Sequence, residues 1–399
     1  MSQAPVLTSL GICCALGMTA AEVWQQASKG SRSGMRWRSD LLTAGQAVVV
    51  GDVAAELVDL SGWPIPEHSR NNQLAATAYA QIAADVAKAI QRFGADRIAV
   101  VIGTSTSGIA SGEAAMVPKL QQNEWPETFD YRQQEMAAPA LFIAQLAQVR
   151  GPAMAVSTAC SSSARALMTA RNFLDTGLAD AVIVGGVDSL CRMTLRGFSA
   201  LESVSAGYCQ PFAKDRDGIN IGEAAALFLL QRQPLPHASV VIRLSGCGAS
   251  ADAHHMSAPH PQGEGAERAI RQALQQADID VQALSYINAH GTATLLNDAM
   301  EAMTLSRVGA SGVPLSSSKA LTGHTLGAAG ALEAALCWLM LSEHNVEQAL
   351  IPQIFATEPD PLLPTLTFAK GVSAMPLRHC LSTSFAFGGN NMAIILSKD

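Results

Sequence analysis

The chain has 399 residues, 49% of them hydrophobic and 15% charged, with 32 glycines and 18 prolines. This length can bury a large core as one domain or two fused ones, and the low charge excludes a disordered chain. A formal net charge of −7 argues against a general nucleic-acid binder, which needs a basic footprint, but leaves room for a local basic patch facing an acidic partner.

The opening stretch Met1–Leu16 carries no Lys or Arg ahead of its short apolar run, so it does not read as a secretion signal. A helix is predicted over Gln73–Arg92 from apolar residues at three- and four-residue spacing. The β-branched run Ile98–Ile102 reads as a strand ending in Gly103-Thr104. Next come a helix over Ser161–Asp175 and a strand over Ala181–Val184 that ends in Gly185-Gly186. The apolar run Ala224–Leu230 is far shorter than the ~20 residues of a membrane span. The Pro-rich segment Gln233–His237 marks a boundary between residues 1–234 and 235–399. Beyond it follow a helix over Gly263–Ala277, a strand over Leu284–Asn288, a helix over Gly330–Leu341 and a closing strand over Met392–Leu396. Alternating strands and helices define an α/β chain. The two parts are faintly alike: Ile98–Thr104 echoes Leu284–Thr292, and Ser157–Asp175 echoes Ser316–Leu341. A duplicated unit with its active site at the seam is expected.

Eight cysteines (Cys13, Cys14, Cys160, Cys191, Cys209, Cys247, Cys337 and Cys380) are scattered without a CxxC pair. That pattern fits reduced thiols in a cytoplasmic protein and signals no metal or redox cofactor. Cys160 stands apart. In Val156-Ser157-Thr158-Ala159-Cys160-Ser161-Ser162-Ser163 it falls between a strand and an Ala-rich helix, where the helix N-terminus favours a thiolate. A nucleophile on such an elbow can meet a thioester. The elbow alone does not separate this from a small buried hydrophobe.

Two histidines add to it. His290 lies just past a strand in Asn288-Ala289-His290-Gly291-Thr292-Ala293-Thr294. His324 lies in the Gly-flanked turn Lys319-Ala320-Leu321-Thr322-Gly323-His324-Thr325. One such His is more often structural, but two in matching contexts read as N–H donors to a carbonyl or carboxylate. Near the end, Ser384-Phe385-Ala386-Phe387-Gly388-Gly389-Asn390-Asn391 offers a glycine turn whose N–H can join that of Cys160 as an oxyanion hole.

From about Leu10 to Leu396 the chain resembles the elongating β-ketoacyl-acyl-carrier-protein synthases of the Cys-His-His kind, within the thiolase superfamily. The motifs are Ala159-Cys160-Ser161, Val184-Gly185-Gly186-Val187-Asp188, Pro211–Gly218, Gly222-Glu223, His290-Gly291-Thr292, Lys319…Gly323-His324-Thr325 and Phe387-Gly388-Gly389. The resemblance implies a layered α/β/α/β/α fold of two related halves, the first with the nucleophile and the second with both histidines. It implies that Cys160 is acylated and that His290 and His324 support decarboxylation of malonyl-carrier protein. It places Lys319 as the electrostatic partner near His324 and Glu333 as a supporting acid. Thr292 and Thr294 would bond the pantetheine arm, with Gly388 and Gly389 beside it. Phe387 would be both oxyanion donor and gate. It implies acyl- and malonyl-loaded carrier protein as partner, and a homodimer or a heterodimer with a related ketosynthase-like chain.

The chain also departs from the family. Asn390-Asn391-Met392 stands where the family usually has Thr and then Asn-Gly. Glu202 stands where relatives often carry an Arg for carrier docking, and Arg70 is the candidate for part of that patch. Gly112 replaces a bulky residue at the end of the acyl pocket, so a longer channel or one shaped by a partner is expected, within a specialised polyene-type pathway. His254 and His255 either line the entrance or serve their loop. The alternatives are a ketosynthase/chain-length-factor-type subunit and a thiolase acting on acyl-CoA. The thiolase needs a second Cys, which the Gly388–Met392 loop lacks, and Cys380 lies in the run leading to a strand.

Overall fold

A computed structural model of the chain describes residues 3–235 and 238–399. Ten strands, labelled in chain order, form the main sheet. The first five are β1 (Val6–Cys14), β2 (Ile98–Gly103), β3 (Ala153–Val156), β4 (Ala181–Asp188) and β5 (Ala224–Gln231). The other five are β6 (Ile242–Ala251), β7 (Tyr286–Asn288), β8 (Leu315–Ser316), β9 (His379–Phe385) and β10 (Asn390–Lys398).

The first five lie in the spatial order β3-β2-β4-β5-β1 and the second five in the order β8-β7-β9-β10-β6. Both rows therefore run third, second, fourth, fifth, first. Their directions agree as well. β2 is parallel to β3 and β4, and β5 is antiparallel to β4 and β1. Likewise β7 is parallel to β8 and β9, and β10 is antiparallel to β9 and β6. The rows join where Val6 of β1 pairs with Arg243 of β6. The expected likeness of Ile98–Thr104 to Leu284–Thr292 is thus a likeness of second strands. That of Ser157–Asp175 to Ser316–Leu341 is a likeness of the turn and helix after the third. Within the boundary segment Gln233–His237, residues 236 and 237 lie outside the described residues.

Burial explains the composition of these elements. β2, β4 and β5 are buried along their whole length, covered on both faces, which accounts for their unbroken apolar runs. Helices Arg70–Phe93 and Ala138–Leu146 cover the outer face of the first row, and Glu264–Ala277 and Leu295–Arg307 that of the second. Ser162–Asp175 and Ala329–Leu341 pack against each other between the rows. All of Ala329–Leu341 but Trp338 is buried, as a central-layer helix must be. Its Gly330 permits the close approach, since a Cβ there would lie 2.7 Å from the Ala164 nitrogen. The result is the thiolase-like α/β/α/β/α arrangement. No helix among the described residues is long and apolar enough to cross a membrane.

Candidate active site

After β3 the chain reverses through Ala159, whose φ of 52° is left-handed and costs an alanine on the order of 1 kcal/mol. Side-chain hydroxyls hold the turn. Ser162 Oγ accepts the Thr158 N–H at 2.8 Å, and Ser161 Oγ donates to the Thr158 carbonyl at 2.8 Å. Cys160 is thereby fixed two residues ahead of helix Ser162–Asp175 and is only 6% exposed.

The second half supplies the histidines. His324 Nε2 lies 3.0 Å from Cys160 Sγ, and the two imidazole centroids are 5.5 Å apart at 86°. The sulfur and one ring nitrogen from each histidine all fall within 4.8 Å of one another. Residues 160, 290 and 324, far apart along the chain, therefore converge.

Two carboxylates that the sequence reading did not single out hold the His290 loop. Glu301 accepts the N–H of His290 at 2.8 Å, the N–H of Gly291 at 2.7 Å and the Thr383 hydroxyl at 2.7 Å. Asp298 accepts the N–H groups of Thr292 at 2.9 Å and Phe212 at 2.7 Å. The signal was an Asp and a Glu three residues apart on one helix face just past His-Gly-Thr. Burial pushes the Asp298 carboxyl up to about 6 and that of Glu301 up to about 7.

Lys319 is buried and points at His290 rather than making direct contact with His324. Its Nζ lies 3.3 Å from His290 Nδ1 and donates to the His290 carbonyl and to Glu333 Oε1. Its charge still lowers the pKa of both imidazoles, after burial, which lowers them most. Both rings are therefore neutral. An ammonium only donates, so His290 Nδ1 accepts and its proton sits on Nε2. Burial also pushes Glu333 up to about 7, against the pull of Lys319.

The thiol corrects an expectation. The helix N-terminus was expected to favour a thiolate. Burial instead pushes Cys160 up to about 11, opposed by Lys319 and by the N–H groups of Phe387 and Cys160 itself. At rest the neutral thiol and the neutral imidazole share one hydrogen bond between Sγ and Nε2. Those two N–H groups converging on the sulfur are the pair expected for an oxyanion hole.

A cavity of about 260 Å³ opens over this floor. Thr292 and Thr294 line it, their hydroxyls 2.9 Å apart, and Phe387 lines it with its ring 5.5 Å from that of Phe198. Phe198 was missed, being one apolar residue in an amphipathic helix. Gly388 and Gly389 form the turn behind Phe387 with φ of 83° and 76°. They do not line the cavity.

Other expectations resolve differently. Gly112 is buried in helix Ile109–Gln122, off the cavity, and a Cβ there would lie 2.1 Å from Gln134 Oε1. Gln134 thus already occupies the space that the glycine leaves. Arg70 is no loose surface cation: it pairs with buried Glu223, which also accepts the Leu190 and Val53 N–H groups. His254 and His255 do not line the cavity, and His255 Nδ1 accepts the Ser257 N–H at 3.1 Å, a loop role. Cys380 is buried inside β9 and absent from the cavity wall. Glu202 stands on the cavity rim. In the Val184–Asp188 motif, Asp188 accepts the N–H groups of Ser105 and Thr106 at 2.8 Å each and that of Gly327 at 2.6 Å, which ties the two halves together.

A cysteine and two histidines meeting at the seam of two like-ordered rows define a condensing enzyme of thiolase fold. Residues 6–234 match the family model for the N-terminal domain of β-ketoacyl synthases, and residues 241–351 that for the C-terminal domain. The chain belongs to the β-ketoacyl synthase family. It is 42% identical to a chain of a ketosynthase in complex with its chain length factor from Xenorhabdus doucetiae, with a TM-score of 0.94 over 100% of this chain and 98% of that one. It is 26% identical to a chain of the ishigamide ketosynthase/chain length factor, with a TM-score of 0.87 over 100% and 99%. It is also 29% identical to a 3-oxoacyl-[acyl-carrier-protein] synthase 2 of Staphylococcus aureus (strain COL), over 98% of each chain.

Proposed function

We propose that the chain is the condensing subunit of a ketosynthase heterodimer. It lengthens a carrier-bound acyl chain by decarboxylative Claisen condensation in a specialised polyene-type pathway. The observation that carries the reaction is the convergence of Cys160, His324 and His290 within 4.8 Å at the cavity floor.

In the first half-reaction His324 Nε2 takes the thiol proton as Cys160 Sγ attacks the acyl thioester. The N–H groups of Cys160 and Phe387 hold the oxyanion, and the carrier thiol leaves with the proton from His324. In the second, the malonyl C–C bond breaks and carbon dioxide departs. Negative charge moves onto the thioester oxygen, where His290 Nε2–H donates. His324 Nδ1 has no partner among the described residues, so the ring is free to hold its proton on Nε2 and donate there too once the sulfur is acylated. The enolate α-carbon attacks the acyl carbonyl on Cys160, the C–S bond breaks, and solvent reprotonates the thiolate. Lys319 keeps the His290 proton on the cavity side and Glu333 neutralises Lys319. Thr292 and Thr294 bond the incoming arm, and the Phe387 ring gates it.

Likeness to two ketosynthase/chain-length-factor complexes supports a heterodimer. An exposed apolar surface fits it: Met154 on edge strand β3, Met116, Val117 and Leu120 on helix Ile109–Gln122, and Met193. Residues 1–234 and 235–399 are the two halves of this subunit. Incubation with acyl- and malonyl-loaded carrier proteins, followed by intact-mass measurement, tests the reading. The expected result is a long unsaturated acyl group on Cys160 and a two-carbon extension that needs the partner chain. Acyl groups no longer than about four carbons would count against the pathway, and no acylation of Cys160 would count against the reaction.

A further inference from the structure

The rim of the cavity is acidic. Glu202 and Asp217 are exposed there, with Asp252 beside them. That rim repels an acidic carrier protein, so its docking cations must lie to one side. The loop Glu202–Cys209 leads away from the rim. Ser203 lines the cavity, and Tyr208 is exposed no more than about 18 Å of chain further on. The loop is pinned to the catalytic floor. Ser205 N–H donates to the Ile219 carbonyl at 2.9 Å and Cys209 N–H to Asn220 Oδ1 at 2.8 Å, while the Asn220 carbonyl accepts the His324 N–H at 2.6 Å.

At the outer end the Arg32 guanidinium stacks 5.4 Å over the Tyr208 ring. Trp37, 52% exposed, meets the same ring edge-on at 6.4 Å. Arg38, Arg70, Arg216 and Arg243 each pair with a carboxylate. Lys29, Arg32 and Arg36 form no ion pair among the described residues. Arg32 Nε and Nη2 are buried without an acceptor, which leaves Nη1 as the donor open to a partner. A cation without a counterion, stacked on an exposed Tyr that also meets an exposed Trp, is the composition of a protein-binding hot spot.

We infer that Arg32, Trp37 and Tyr208 form a docking surface for the acidic carrier protein, with Arg32 taking one of its carboxylates and the aromatic pair its apolar contact. This rests on the condensing reading above, and it moves the docking contact away from the position held by Glu202. The experiment is a calorimetric titration of pantetheine-bearing carrier protein into the enzyme with its partner chain, comparing the parent with Arg32→Glu and with Trp37→Ser, the latter a surface change that leaves the fold intact. Each variant is expected to weaken carrier binding about tenfold, with the Arg32→Glu loss shrinking at high salt. Transfer from a small acyl thioester to Cys160 keeps its parent rate. Carrier affinity unchanged in both variants overturns the inference, and so does loss of partner-chain assembly with carrier affinity intact. Failure of the condensing reading is seen separately, as a parent enzyme that binds carrier without acylating Cys160.

Discussion

Lys319→Met tests how a buried ion pair sets the donor side of His290. Lys319 Nζ donates to Glu333 Oε1 and sits 3.3 Å from His290 Nδ1, and both charged side chains are about 2% exposed. Glu333 already titrates at about 7, against an ordinary 4.5, because burial outweighs the pull of Lys319. Without the ammonium the carboxyl climbs higher. A folded acid that holds its proton to higher pH than the unfolded chain loses stability as pH rises from its unfolded to its folded value, and the loss then levels off. In the parent that loss ends near pH 7. In the variant it continues above pH 7 at about 1.4 kcal/mol per pH unit, up to about 2.7 kcal/mol by pH 9.

Urea unfolding midpoints across that range read the difference. Adding Glu333→Leu removes the buried carboxyl and should flatten the variant's curve. Condensation should fall about a hundredfold in Lys319→Met, because nothing then keeps the His290 proton on Nε2, and the double variant should not recover it. Parallel stability curves for parent and single variant would refute the reasoning.

Alkylation of Cys160 by iodoacetamide should rise about tenfold per pH unit from neutrality toward the thiol's value of about 11; a plateau near neutrality would mean a thiolate–imidazolium pair instead. Glu301→Gln removes a carboxyl that titrates at about 7 in the fold, so the decline in urea midpoints between its ordinary 4.5 and that value should become shallower than in the parent, with the share of Glu333 remaining. At higher pH the variant should be about 1–3 kcal/mol less stable, for the acceptor it cannot replace. Gly112→Ala meets only the far end of the flexible Gln134 side chain, which can swing aside, and gains helix propensity, so the melting temperature should change by the equivalent of no more than about 1 kcal/mol. A loss of several kcal/mol would show that Gln134 is held rigidly against the helix.

Elements with one dominant period were legible in the sequence. Arg70–Phe93 and Glu264–Ala277 carry clean apolar stripes, and the expected helices fall within three residues of the observed ends. β1 was passed over because Thr8, Ser9 and Gly11 interrupt its apolar residues. Gly11 is there because a Cβ would strike the Ala78 carbonyl at 1.9 Å, a constraint from a helix more than sixty residues away. Helix Ile109–Gln122 contains Pro118, which reads locally as a breaker. The residue types of the site were legible, their environments less so. The Cys160 turn obeys the helix-end rule, yet the titration of the thiol is set by burial under the second half. Lys319 lies nearer His324 in sequence, but its side chain reaches back to His290. Gln134 could not be inferred from Gly112, since the approach of a side chain to a glycine twenty-two residues away is a property of packing.

The like order of the two rows explains why the reactive groups meet. In each half the third strand runs into a turn and then into a central helix. The first copy of that turn carries Cys160 and the second carries Lys319 and His324. The loops after the second strands also correspond: that after β2 is bound by the Asp188 carboxylate and that after β7 by Glu301 and Asp298. Each loop is thus anchored by an acid, and only the second has His in it. The 3.0 Å between sulfur and imidazole belongs to neither half. It is set by bonds across the seam, Gly327 N–H to Asp188, Ala331 N–H to Ser163 Oγ and His324 N–H to the Asn220 carbonyl. All three are buried, where a lost partner is expensive, so they fix the two turns to within a bond length. The nucleophile and its base are therefore positioned by the docking of the two copies, and the conformation of either turn alone does not determine the site.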